Sequence, residues 1–291
     1  MSRFRFVDAE RARHPVVRLC RVLGVSPSGF YAWRGRSPAP RTRANEALTA
    51  EIREVHARSR GTYGAPRVHA ELRATGRRAS RKRVARLMRL EGIRGRGRRP
   101  ARRTTIPDPA ARAEDLVKRD FRPAAPDRLW VADITYIRTL EGWRYLAIIL
   151  DACSRRVVGW ALADHLRTGL ALDALRMALD DRCPAAGLVH HTDRGCQYTA
   201  ADYAALLAGR GIAQSLGRPG TCWDNAVAES SFATLKIELV DRYAWPTRRQ
   251  ARTAVFEFIE GFYNRQRRHS TLGYLSPAAF EADYHAADSA A

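Results

Sequence analysis

Apolar residues along this chain change their rhythm twice. Residues 14–34, HPVVRLCRVLGVSPSGFYAWR, predict a short helix, a turn at Gly24–Ser26 and a second helix that Ser26 can cap. SPAPRTR at 37–43 reads as a linker, and from Asn45 to Arg60 the apolar positions Leu48, Ile52 and Val55 recur at helical spacing. In the stretch after Gly61, Pro66 suits a first helical turn, Gly76 stops that helix and Ser80 caps the next. Val84, Leu87 and Met88 form the buried stripe of this second helix. Beyond residue 122 the period shortens. LWVADITYIR, WRYLAIILDAC and RRVVGWALAD predict three strands in an antiparallel meander. TGLALDALRMALDDRC reads as a helix, LVHHTD as a buried strand and TAADYAALLAGRG as a helix that Gly211 ends. IAQSLG follows as a strand, then helices over 224–240 and about 247–266.

Charge divides the chain in a different way. The net charge is +21, and residues 1–112 hold 29 of the 51 basic residues against 8 of the 30 acidic ones, so the remainder is neutral. A surplus confined to one end is the electrostatic footprint of a nucleic-acid-binding segment. Arg81, Lys82, Arg83, Arg86 and Arg89 surround the polar face of the helix after Ser80, which suits it to a DNA groove. Residues 94–112, with Arg96, Arg98 and Arg99 among seven arginines, are expected to be a flexible linker that tracks phosphates. Five scattered cysteines without a CxxC pair argue against a disulfide framework or a zinc site and favour a reducing cytosol. No signal core or membrane-length apolar run is present, so a soluble intracellular protein is expected.

Three carboxylates stand out against this background. Asp133 lies mid-strand on a face with Val131 and Thr135, where an unpaired acid is costly to bury. Asp193 ends the strand LVHHTD, at the kind of carboxyl end where open α/β sheets bind ligands. Glu229 follows after 35 intervening residues, on a helix that shares one face among Asn225, Glu229 and Lys236 and offers Val227, Leu235 and Leu239 to the core. Each has an ordinary alternative: a salt-bridged strand acid, a turn cap, a solvated helical glutamate. Jointly they could hold divalent ions, and oxygen-only ligation suits Mg²⁺ or Mn²⁺. A cation would relieve their mutual repulsion. His190 is expected to pack in its strand, and His191 to orient a carboxylate or a phosphate. Lys236, a rare lysine here, can contact a phosphate or base at a DNA end.

The blocks LWVADITYI, HTDRGCQYT, PGTCWDNAVAESSFATLKIEL, FYNRQRRHSTLGYLSPAAF and YGAPRVHAELR resemble the OrfB transposases of the IS-three insertion-sequence family, relatives of retroviral integrases, over nearly the whole length. The strand and helix order βββαβαβα agrees with the ribonuclease-H-like α/β core of that family. Small all-α helix-turn-helix segments precede this core. The resemblance implies that Asp133, Asp193 and Glu229 form the catalytic metal triad, with two Mg²⁺ ions (or Mn²⁺) when DNA is bound. It implies cleavage at element ends to free 3′-hydroxyls, then attack of such a hydroxyl on target DNA without a covalent enzyme intermediate. Expected partners are terminal inverted repeats, target DNA, further copies of the chain and an upstream OrfA or OrfAB fusion, since the chain starts at its own Met1 without a heptad repeat.

The domains expected are a helical segment and linker (1–43), a helix-turn-helix domain (44–93), a basic linker (94–122), the catalytic core with a C-terminal helix (123–285) and a tail (286–291). Arg267, Arg268 and His269 in the basic, aromatic FYNRQRRHSTLGY are expected at the DNA end, or else on a solvated helix face. Two other functions fit parts of the sequence. Tyr263 with Arg267, Arg268 and His269 offers a nucleophile with cations, as in a tyrosine recombinase, although one helix is a poor source for a whole site. A non-catalytic DNA-binding regulator of transposition is the other.

Overall fold

A computed structural model describes residues 2–37, 39–97, 115–117, 120–217 and 226–289. The chain forms two compact units, Met1–Glu54 and Val55–Ala291. In the first, α1 (Arg3–Glu10), α2 (Val16–Val22) and α3 (Pro27–Arg34) close around Val7, Cys20 and Phe30. Gly24 turns the chain at φ +63°, and the Ser26 hydroxyl accepts the Gly29 N–H at 2.9 Å, capping α3. Helix α1 was not legible in the sequence, since it buries only Val7 among its charged residues. Helix α4 (Pro40–Arg58) corrects the linker expected over 37–43, because Pro40 has the fixed φ a first helical turn accepts.

In the second unit, α5 (Ala65–Ala74) and α6 (Arg81–Leu90) are joined through Gly76, at φ +80°. Ser80 caps α6 by accepting the Arg83 N–H at 3.2 Å, and Val84, Leu87 and Met88 are buried. The expected flexibility of the basic linker does not extend to its first residues. The Arg96 N–H donates to the Thr62 carbonyl at 3.0 Å, and a side chain at Gly95 would run into the Gly64 backbone. Arg98 and Arg99 lie outside the described residues. The two units divide within α4, between Glu54 and Val55.

That sheet has the order β3-β2-β1-β4-β5, from β1 (Leu129–Thr139), β2 (Gly142–Asp151), β3 (Val157–Ala163), β4 (Val189–Thr192) and β5 (Ala213–Leu216). The first three strands are antiparallel neighbours, and β4 runs parallel to both β1 and β5. Alternation along β1 sends Trp130 and Ala132 into the main core. There they meet Leu170, Leu175 and Leu179 of α7 (Thr168–Arg182), and Tyr203 and Leu207 of α9 (Ala201–Ala208), which follows the single turn α8 (Cys196–Thr199). Gly159 of β3 lets α7 come close: an added Cβ would meet the Ala174 carbonyl and lie 2.7 Å from the Ala178 Cβ. The other residues of β1 face α10 (Ala226–Glu238) and α11 (Arg248–Phe256). This is the mixed sheet and element order of a ribonuclease-H-like core.

The helix expected over about 247–266 changes pitch instead of running through. After α11 the chain winds as a π-helix over Glu257–Tyr263, and the extra residue per turn buries Phe258, Ile259, Phe262 and Tyr263 together. Helix α12 (Pro277–Asp288), capped by Ser276, closes the described chain.

Candidate active site

The acids are placed by strand register. Val131 of β1 pairs with His191 of the parallel β4. Asp133 and Asp193 each lie two residues further on, so both face the same side on neighbouring lines about 4.8 Å apart. Asp133 is held within the strand, its Oδ1 accepting the Ile134 N–H at 2.7 Å. Asp193 lies just past β4, and its Oδ1 accepts the Gly195 N–H at 3.0 Å. Any side chain at Gly195 would come within 3.0 Å of that oxygen. Glu229 enters from above the sheet, in the first turn of α10. Val227 and Leu235 of that helix, and Leu239 just past its end, are buried as expected, along with Phe232.

The three charges are felt at Asp133. Burial, then the charge of Asp193 and that of Glu229, push its carboxyl up to about 8 against the opposing Ile134 N–H and Lys236. Burial also raises Asp193, while the Gly195 N–H and His191 oppose it. Among the described residues no three His, Cys, Asp or Glu side chains stand close enough to hold an ion, so the acids converge without reaching ligating distance. Their chemistry nevertheless fits a hard divalent cation: all donors are carboxylate oxygens, and a cation would remove the conflict that raises Asp133.

The histidines divide the work. His190 is buried, with Nε2 2.7 Å from the Tyr203 hydroxyl, and burial followed by the neighbouring His191 lowers its pKa to about 3. His191 is equally buried, 2.8 Å from the Ser215 hydroxyl through Nδ1 and edge-on to Phe121. It acts on Asp193 as a nearby charge. Lys236 places its ammonium 4.8 Å from the centre of the Tyr136 ring and close enough to Asp133 to favour its ionised form. Asn225 lies outside the described residues.

Tyr198 was missed by sequence reasoning. Its hydroxyl is buried with no hydrogen-bond partner among the described residues, and burial, then Asp133, with Tyr203 and Asp193 adding, raises its pKa well above the ordinary value. The only sequence signal was its place five residues after Asp193.

The cationic residues fall into two groups. Arg81, Lys82, Arg86 and Arg89 are exposed on α6, Arg83 is half-buried, and Arg96 is exposed beyond the helix. Arg267, Arg268 and His269 correct the expectation of DNA-end contact. Arg267 makes a two-pronged, buried ion pair with Glu238 at 2.8 and 2.7 Å. Arg268 pairs with Glu71 and donates to the Tyr274 carbonyl at 2.8 Å. His269 packs edge-on against Tyr263 and lies 3.2 Å from the Arg267 guanidinium. Tyr263 is itself buried, which removes the accessible nucleophile that a tyrosine recombinase needs.

Two acids on adjoining strands, a third on the helix across that face and a basic helix-turn-helix in the same unit define a DNA-processing protein with an integrase-type core. Models of the integrase core domain match residues 123–222 and 210–277, and an HTH-like domain model matches 43–101. The chain is 40% identical to the transposase InsF for insertion sequence IS3A of Escherichia coli K12, over 95% of this chain and 97% of that one. It is 43% identical to the insertion element IS600 uncharacterized 31 kDa protein of Shigella sonnei, over 92% and 98%. Among solved structures, the magnesium complex of the HTLV-2 integrase catalytic core (dimeric form) matches at 15% identity, covering 55% of this chain and 99% of that one, with a TM-score of 0.40. The chain belongs to the IS3 family of insertion-sequence transposases, and it is a DNA transposase.

Proposed function

We propose that this transposase cuts element ends and joins them to target DNA at a divalent-metal site made of Asp133, Asp193 and Glu229. One observation carries the reading: the two half-buried aspartates each lie two residues beyond the paired Val131 and His191 of β1 and β4, and the Asp133 carboxyl feels both other charges. The three side chains would hold Mg²⁺ or Mn²⁺, with two ions expected once DNA is bound. Such ions activate an attacking oxygen and stabilise both oxygens of an in-line displacement at phosphorus. The protein's own groups prepare the site. Ile134 and Gly195 N–H groups fix one oxygen of each aspartate, the Lys236 ammonium faces the DNA phosphate, and His191 offsets the charge of Asp193.

The chemistry is phosphodiester exchange. Water attacks phosphorus at the element end and a 3′-hydroxyl leaves. That hydroxyl then attacks a target phosphodiester, making one P–O bond for each one broken, so no covalent enzyme intermediate is needed. The exposed cations of α6, with Arg96, Arg98 and Arg99 following, hold the duplex, and residues 44–93 and 123–285 are assigned as its reading and joining domains. Work in the cytoplasm on nucleoid DNA, as a homo-oligomer with an OrfA or OrfAB partner, belongs to the same reading. Among the described residues no helix is long and apolar enough to cross a membrane.

The test is incubation of the purified chain with labelled element-end DNA and Mg²⁺ or Mn²⁺, beside Asp193→Asn and a chelator. Metal-dependent nicking that frees a 3′-hydroxyl, absent from the variant, is expected. Binding without nicking would favour the regulator, and a metal-independent covalent adduct would overturn the scheme.

A further inference from the structure

The far end of the β1–β2 hairpin carries a surface that the acid site does not use. In its register Tyr136 pairs with Tyr145, and Arg138 with Trp143. Strand alternation therefore puts all four side chains on one face. Nearer the middle of the sheet this face is covered by the core around α7, against which Ile134 and Tyr145 still pack. Past them it is open: Tyr136 is 41% and Trp143 46% exposed, and Arg138 is exposed as well. The two rings meet edge to face, their centres 5.2 Å apart at 87°. The Lys236 ammonium lies over Tyr136 at 4.8 Å.

We propose that Tyr136 and Trp143, with Arg138 and Lys236 beside them, form a binding surface for an unpaired nucleotide at the end of the DNA strand being processed. The proposal rests on the acid site as the joining centre, which fixes where that strand end must lie. Four observations support it. Large aromatics left half in water cost solubility unless something covers them, and these two are adjacent instead of scattered. Every base has a π-face, so exposed rings bind bases without regard to sequence. A cation on each side of the pair suits the phosphate that accompanies a stacked base. Finally, Tyr136 follows Asp133 by three residues on one strand, and the Lys236 charge that lies over Tyr136 also acts on Asp133. The surface and the acids therefore share one strand and one lysine. Strand alternation turns Tyr136 and Trp143 away from Asp133, but a terminal base laid on these rings would bring its phosphate within reach of the Lys236 ammonium, whose charge also acts on Asp133.

The experiment uses the full chain and a duplex with a short unpaired 3′ overhang ending in 2-aminopurine, whose fluorescence falls on stacking. Quenching is expected with the unaltered chain and with Asp193→Asn. Trp143→Ala and Tyr136→Ala should abolish it and reduce the preference for overhang over blunt DNA about tenfold, with Trp143→Phe restoring both. A terminal base that stays bright on the saturated, unaltered chain overturns the proposal, whatever the variants do. So does undiminished quenching by Trp143→Ala. Strand joining is measured on the same samples. Joining that survives in Asp193→Asn, with quenching intact, would remove the acid-site reading and leave the stacking surface standing.

Discussion

Arg267 grips Glu238 with two prongs, Nε to Oε2 at 2.8 Å and Nη2 to Oε1 at 2.7 Å, with side chains only 4% and 5% exposed. Arg67 of α5 adds a third contact to the same carboxylate at 3.4 Å. Breaking a buried pair from one side strands the other charge, so Arg267→Ala should cost about 3–5 kcal/mol. Replacing both partners together, Arg267→Met with Glu238→Leu, should recover most of that loss. Urea unfolding of the three proteins checks this, and equal destabilisation of the single and double variants would count against a true pair.

Acid should weaken the fold through His190. Its pKa is near 3 when folded, against an ordinary 6.5, so between those values the unfolded chain takes up a proton that the folded chain refuses. The contribution of the neutral imidazole to stability is therefore complete above about 6.5 and declines as pH falls toward 3. His190→Gln keeps a partner for the Tyr203 hydroxyl and removes the titration. Its stability should vary less across that window, as thermal melts at several pH values would read.

Gly159→Ala should be severe for so small a change. The added methyl would press on the Ala174 carbonyl and on Ala178, so α7 must lift from β3. A cost of about 1–3 kcal/mol is expected from overpacking. Neighbouring Gly169 meets nothing within 4 Å at the same substitution and serves as the control in a melting assay.

The two groups of arginines should respond differently to salt. Arg81→Ala and Arg86→Ala on α6 should each weaken DNA binding and make the log–log salt slope shallower by about one. Arg267→Met paired with Glu238→Leu should leave that slope unchanged, because that guanidinium is occupied within the fold. Filter binding over a salt series distinguishes them, and an unaltered slope in the α6 variants would remove that helix from the interface.

Tyr198→Phe separates packing from chemistry. Its hydroxyl has no hydrogen-bond partner among the described residues, so removing it should not lower the melting temperature. The same hydroxyl is close enough to Asp133 and Asp193 to feel both charges, so strand joining should fall. A variant that melts lower while joining normally would reverse both halves of this prediction.

Much of this was legible from residue pattern because the forces concerned act locally. Alternation through LWVADITYIR fixed both the strand and the side on which Asp133 emerges, and Ser26 and Ser80 cap the helices they precede. What escaped depends on partners distant in sequence. Arg267 looked like a DNA contact because its neighbours are cations, whereas its partner Glu238 lies 29 residues earlier. Tyr198 escaped notice, since nothing nearby in sequence shows that its hydroxyl feels the charges of Asp133 and Asp193. Helix α1 has too little apolar surface to declare itself, and the π-helical stretch arises from packing four large side chains at once.

Glu229 and Glu238 are carried by one helix, nine residues and about 13–14 Å apart at 1.5 Å per residue. One end of α10 meets the acids, and the other is fastened to Arg267 and Arg67. A genetic screen scored only by transposition would therefore place both glutamates in one essential class, although their failures have different origins. Loss of Glu229 should yield a folded protein that still occupies DNA and blocks its intact siblings. Loss of Glu238 should yield a protein cleared by proteolysis. Dominance over the wild-type copy, more than loss of activity, tells the two acids apart.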